Sequence, residues 1–167
     1  AQAELEDKEM PGAFHRVSFH APDGTTIDIE TTRPELIPAC VALVAHPDDP
    51  RYQALFGTTV RTPLFGVEVP VVAHHLAQQD KGSGIAMVCT FGDVTDVVWW
   101  RELDLPLRPI LGKDGRVLAD APEGIEGAGA EVYAELAGKT VFSAKARIVE
   151  LLRESGDLVG EPRPITH

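Results

Sequence analysis

Two groups of side chains in this sequence have the types and spacing to do chemistry. Thr31-Thr32-Arg33-Pro34-Glu35 sets two hydroxyls, a guanidinium and a carboxylate almost side by side. Pro34 lacks a backbone donor and disfavours helical geometry at Arg33, so the group belongs at a strand end. A loop mouth of this kind can grip a ribose, a phosphate or an amino acid, although a merely polar strand end is the commoner outcome. Asp93 and Asp96 follow Gly92 with a spacing of three, which puts both carboxylates on one face of a helix starting there. They suit a ligand ammonium group; first-turn aspartates also simply complement the helix dipole. Gly82-Ser83-Gly84 is a weak phosphate-loop signal, because no Lys-Ser/Thr follows it.

Other reactive types carry less. The histidines 15, 20, 46, 74, 75 and 167 have no metal-ligand spacing. His74 and His75 would point to opposite faces of a strand, which argues against a shared metal. Cys40 and Cys89 form no Cys-x-x-Cys pair, and a chain of this size with two distant cysteines fits a reducing compartment. A nucleophilic Cys89 is a remote alternative to a small buried thiol. Trp99-Trp100 reads as helix packing.

The elements that must carry these residues read as short strands. Residues 14–19 and 26–31 alternate apolar and polar around Ala21-Pro22-Asp23-Gly24, the pattern of a β-hairpin. Val41–Ala45 is a continuous apolar run, expected as a buried strand. Residues 52–56 fit one helical turn, and further strands are expected near 58–62, 67–73 and 85–90. A helix is expected from Asp93 to about Leu103, with Asp93 as its N-cap. Residues 107–111 and 116–118 flank an Asp-Gly turn, and 119–130, rich in Ala, Gly and acid, reads as a loop or insertion. The clearest helix is 139–155, with Val141, Ile148, Val149 and Leu152 mainly on one face and Gly156 stopping it. The fold class expected is α+β and β-rich, a closed or partly closed barrel with a few peripheral helices and no βαβ alternation.

The 167 residues suit one domain, and 44% apolar with 25% charged is ordinary for a soluble protein. No apolar run reaches the ~18–20 residues of a membrane helix. The acidic start has no apolar signal-peptide core and no initiator Met, which points to a fragment. The net charge of −11 argues against a free-standing nucleic-acid binder, since it repels a polyanion.

Thr31-Thr32-Arg33-Pro34-Glu35, Val41–Ala45 with His46-Pro47-Asp48-Asp49-Pro50-Arg51-Tyr52, Gly57, Pro63-Leu64, Glu68–Ala73, Gly82-Ser83-Gly84 and Asp93-x-x-Asp96 occur in this order. The series resembles the editing domains of the valyl-tRNA synthetase family, a domain shared with leucyl- and isoleucyl-tRNA synthetases. Phe91-Gly92-Asp93 is similar to the isoleucyl version, while His46–Tyr52 favours the valyl one. The match covers roughly residues 14–106. The resemblance implies a β-barrel-like domain inserted in a class I synthetase: a lead-in at 1–13, the domain at 14–156 and a return linker at 157–167.

The activity it implies is hydrolysis of threonyl-tRNA(Val). An apolar synthetic pocket rejects threonine against valine only ~10²-fold, a figure established for that pair and not worked out from this chain. By position, Asp96 would bind the α-ammonium and Asp93 the side-chain hydroxyl or a water. Thr31, Thr32 and Arg33 would line the site near the terminal adenosine, with Thr32 assisting a positioned water, and Leu36, Met87, Cys89 and Thr90 would form the pocket wall. The family often carries Thr, Lys and Thr where this chain has Leu36, Met87 and Cys89, so the wall is expected to be more apolar than usual. The implied partners are the 3′ end of aminoacylated tRNA(Val) and the rest of the synthetase, which would grip the tRNA body; neither membrane nor DNA is implied. No cofactor or metal is implied for this domain, ATP and Mg2+ belonging to the full-length enzyme, and the compartment implied is the cytoplasm. The alternatives are an isoleucyl-type or stand-alone deacylase, or an editing-deficient structural or tRNA-docking module.

Overall fold

The computed structural model describes residues 12–80, 82–89, 105 and 108–164. Thr90, Asp93, Asp96 and the helix expected at 93–103 lie outside the described residues.

Alternation in the sequence becomes two faces of a hairpin. Strands β1 (Ala13–His20) and β2 (Thr26–Thr31) pair antiparallel with Val17 opposite Ile29 and Phe19 opposite Ile27. All four are buried, which removes apolar surface from water at about 25 cal/mol per Å². The opposite face carries polar pairs, among them Ser18 Oγ donating to Asp28 at 2.7 Å. Asp23 closes the turn by accepting from the Thr25 amide (3.0 Å) and hydroxyl (2.7 Å). Gly24 there has φ +90°, a conformation that costs only glycine little.

Strand β3 (Cys40–Ala45) is buried along its whole length. It lies parallel to β5 (Glu68–Ala73) and antiparallel to β6 (Ile85–Cys89), so neither face meets water and the apolar run needs no alternation. Strand β4 (Thr59–Arg61) joins β5 to β1. The order β2-β1-β4-β5-β3-β6 brings β6 round against β2, giving a nearly closed, barrel-like sheet.

Helix α1 spans Ala128–Leu136 and α2 spans Val141–Ser155. Thr140 caps α2 by accepting from the Ser143 amide at 3.2 Å, and Gly156 ends it at φ +83°. Its buried stripe is Ala144, Ile148 and Leu152, set against the 3-10 helix Pro34–Ala39. Val141 and Val149, expected on that stripe, are only half-buried. Residues 157–164 then return along β1. The Asp157 carbonyl accepts from Ser18 N, Val159 N donates to the Arg16 carbonyl, and β7 (Arg163–Pro164) pairs with Ala13 and Phe14.

Further expectations differ from the structure. His74 and His75 follow the end of β5 at Ala73, so strand alternation does not separate them, and their rings stack with centroids 4.5 Å apart. The segment 119–130 is not wholly a loop, because α1 begins at Ala128. Its signal was diluted by glycine and alanine, leaving Tyr133 and Leu136 as the large buried side chains. Tertiary contact stabilises it: Tyr133 donates to the Leu118 carbonyl at 2.8 Å, and a Cβ on Gly129 would stand 2.5 Å from the Phe65 carbonyl oxygen. Around the Asp114-Gly115 turn, the described residues form only isolated bridges, Leu111 with Val117 and Arg116 with Thr140.

Candidate functional site

The end of β2, the loop after it and one face of β6 enclose a cleft of about 1120 Å³. Thr31, Thr32, Arg33, Leu36, Met87 and Cys89 all line it, so residues up to 58 positions apart in sequence meet in one place. Met87 and Cys89 alternate along β6 and share the face that fronts the cleft. Leu36 is 4% exposed, and the buried Cys89 thiol lies 3.5 Å from the Leu36 carbonyl oxygen, to which it donates. That wall is apolar.

The hydroxyl-bearing loop is held by its own chemistry. Thr31 Oγ1 accepts from the Arg33 amide at 3.0 Å, tightening the exit from β2. Pro34 then occupies the first turn of the 3-10 helix, where a missing amide hydrogen costs nothing. Behind the loop, Lys145 of α2 donates to the Thr32 carbonyl at 3.1 Å. Arg33 Nε lies 3.6 Å from Glu35 Oε2. Glu35 is buried, and its Oε1 has no hydrogen-bond partner among the described residues. Burial pushes its carboxyl above the ordinary value, against the opposing pull of Lys145 and Arg33. His15, opposite Thr31 in the hairpin, is held below its ordinary value by burial first and by Lys145 second.

Three guanidiniums, of Arg16, Arg33 and Arg163, line the cleft against the single described carboxylate of Glu30. The Glu30 side chain is 6% exposed; it lies 3.7 Å from Arg16 and is also ion-paired and hydrogen-bonded to Arg163. An acidic chain thus presents an arginine-rich mouth. Arg16 and Glu30 were not among the residues expected at the site, although their positions on facing strands are implied by the hairpin register. Arg163 arrives through β7, a two-residue strand that no local pattern announces.

The glycine-containing wall, Gly82-Ser83-Gly84, faces the cleft on one side and the His46–Tyr52 segment on the other. Asp49 is 1% exposed and accepts from Arg51 through both carboxylate oxygens (3.0 and 2.7 Å). The Arg51 hydrogen bonds hold the Asp49 carboxyl below its ordinary value. Tyr52 Oη donates to the Ser83 carbonyl at 2.5 Å. Among the described residues, no three His, Cys, Asp or Glu side chains converge to hold a metal ion.

No protein-family model matches the chain. Curated relatives do. The sequence is 75% identical to the valine--tRNA ligase of Leifsonia xyli subsp. xyli over 100% of this chain, 71% identical to that of Thermobifida fusca over 100%, and 61% identical to that of Bifidobacterium longum over 98%. This segment belongs to the valine--tRNA ligase family. It spans 18–19% of the length of those ligases. Among solved structures, the fold matches GlLeuRS-CP1 with a TM-score of 0.64 at 13% identity, covering 90% of this chain and all of that one. It matches the LeuRS of Agrobacterium radiobacter K84, solved as a ternary complex with tRNA and LeuAMS, at 0.64 and 15% identity over 98% of this chain and 22% of that one. The segment therefore has the fold of GlLeuRS-CP1. Among its described residues, no helix is long and apolar enough to cross a membrane.

Proposed function

We propose that this segment is the editing site of a valine--tRNA ligase and hydrolyses threonyl-tRNA(Val). The observation that carries the reading is the gathering of Thr31, Thr32 and Arg33 against Met87 and Cys89 in one cleft, in a chain whose whole length matches valine--tRNA ligases. The threonyl ester enters with its terminal ribose at the hydroxyl-bearing loop. Water oxygen bonds to the acyl carbon and the bond from acyl carbon to ribose oxygen breaks. The leaving ribose oxygen takes one of the water's protons, the other passes to solvent, and threonine departs as its carboxylate. Thr32 helps to hold the water, Thr31 and Arg33 hold the ribose or its phosphate, and Asp96 and Asp93 receive the ammonium group and the threonine hydroxyl. Positioning supplies the rate.

The tRNA body is gripped by the rest of the ligase, so the acidic segment alone binds tRNA weakly. ATP and Mg2+ serve that remainder, and the segment works without them in the cytoplasm. Asp96→Ala in a full-length ligase carrying this segment is expected to abolish release of threonine from threonyl-tRNA(Val). Retained hydrolysis would overturn the assignment. A second reading, a docking module without hydrolysis, is favoured by the apolar residues Leu36, Met87 and Cys89 at the cleft wall. A non-hydrolysable threonyl-adenosine analogue separates the two, since the docking module binds neither it nor its valyl counterpart.

A further inference from the structure

We propose that Arg51 and Tyr52 are positioning residues that hold the Gly82–Gly84 wall of the cleft in its working shape. The substrate side of this inference rests on the editing reading; the positioning itself does not. Neither residue lines the cleft; both act from behind it. Buried Asp49 fixes the Arg51 side chain through paired, parallel hydrogen bonds from Nε and Nη2, and the Arg51 amide donates to the same carboxylate at 3.1 Å. This bidentate arrangement sets the plane of the guanidinium, which a lysine ammonium cannot reproduce. Nη2 then donates at 2.8 Å to the Gln79 carbonyl, at the start of the wall.

The wall is shaped to that guanidinium. Gly84 has φ +81°, and a Cβ there would collide with Arg51 Nη2 and stand 2.9 Å from the Gln79 carbonyl oxygen and 3.0 Å from Asp49 Oδ2. The next residue along the motif completes the grip, with Tyr52 Oη on the Ser83 carbonyl at 2.5 Å and the Arg51 guanidinium 5.2 Å from the Tyr52 ring centre. On the far side, a Cβ on Gly82 would come 2.5 Å from Glu30 Oε2. The wall is thus set between the arginine clamp and a carboxylate that lines the cleft. Two glycines at positive φ, at 82 and 84, have many other conformations open to them once the clamp is gone. Because the wall bounds the substrate and contributes no reacting group, its release weakens binding more than turnover.

The test uses Arg51→Met, Arg51→Lys and Tyr52→Phe in a full-length ligase carrying this segment. Amide exchange at 82–85 is expected to rise about 10-fold or more in Arg51→Met while the β1–β2 amides keep their protection. The KM for threonyl-tRNA(Val) hydrolysis is expected to rise about 10-fold with kcat within about 3-fold. Arg51→Lys is expected to recover less than half of the effect, and Tyr52→Phe to show a smaller rise in both readouts. Unchanged exchange at 82–85, or loss of protection spread equally over β1 and β2, overturns the proposal, as does a fall in kcat at constant KM. If the unaltered ligase does not hydrolyse threonyl-tRNA(Val), the editing reading fails, and the exchange measurement still decides the role of Arg51.

Discussion

Lys145→Met should show how strongly the hydroxyl-bearing loop depends on a helix far away in the chain. The Lys145 ammonium donates to the Thr32 carbonyl at 3.1 Å across a separation of 113 residues. Methionine keeps most of the stem's packing and removes the donor. A hydrogen bond from a charged group contributes about 1.5–3 kcal/mol, and a half-buried site belongs at the lower end, about 1.5–2 kcal/mol. For a chain of this size that is a fall of about 3–8 °C in Tm. Loss of the cation also lets His15, now held down by burial and then by Lys145, move up toward its ordinary 6.5. With the Thr32 carbonyl released, kcat/KM for threonyl-tRNA(Val) hydrolysis should fall about 10- to 100-fold, and Lys145→Arg, which keeps a donor, should recover most of it. Thermal unfolding and a histidine NMR titration read the first two effects, and deacylation kinetics the third. An unchanged Tm together with an unmoved His15 titration would refute the idea that α2 holds the loop.

Glu35 provides a test of pH. Burial raises its folded pKa above the ordinary 4.5, so the carboxyl's favourable contribution is complete below about 4.5 and is lost as pH climbs through the raised value. Glu35→Gln removes that loss, so the variant's stability relative to the parent should improve between pH 4 and neutrality; denaturant unfolding that gives a constant difference across this range would contradict it. Gly129→Ala should cost about 1–3 kcal/mol through overpacking, because its new Cβ meets the Phe65 backbone at 2.5 to 3.1 Å. A denaturant midpoint equal to the parent's would show that α1 can move aside freely.

Much of the local architecture follows from residue order. Alternation at 14–19 and 26–31 dictates the hairpin, since a period of two can bury only one face. The apolar run at 41–45 becomes the central β3, and Thr140 and Gly156 delimit α2. The hydroxyl-bearing loop, Leu36, Met87 and Cys89 could be nominated from a family resemblance and do share one cleft. The helix α1 leaves little trace in the sequence because glycine and alanine carry almost no periodic signal, and its partner, the Phe65 backbone, lies more than 60 residues away.

Residue pattern alone thus specified strands, turns, caps and the face each side chain prefers, because these depend on neighbours within a turn or a pleat. Which segments would touch was settled only by the closing of the sheet. The parallel pairing of β3 with β5, the return of residues 157–164 along β1 and the approach of β6 to β2 all join distant parts of the chain. Those contacts bring Arg163 to Glu30, Lys145 to Thr32 and Arg51 to Gln79. Each is a polar contact between a side chain and a partner at least 28 residues away. Nothing in either local sequence encodes the other, so the identity of the lining residues was partly readable while the groups that hold them in place were not.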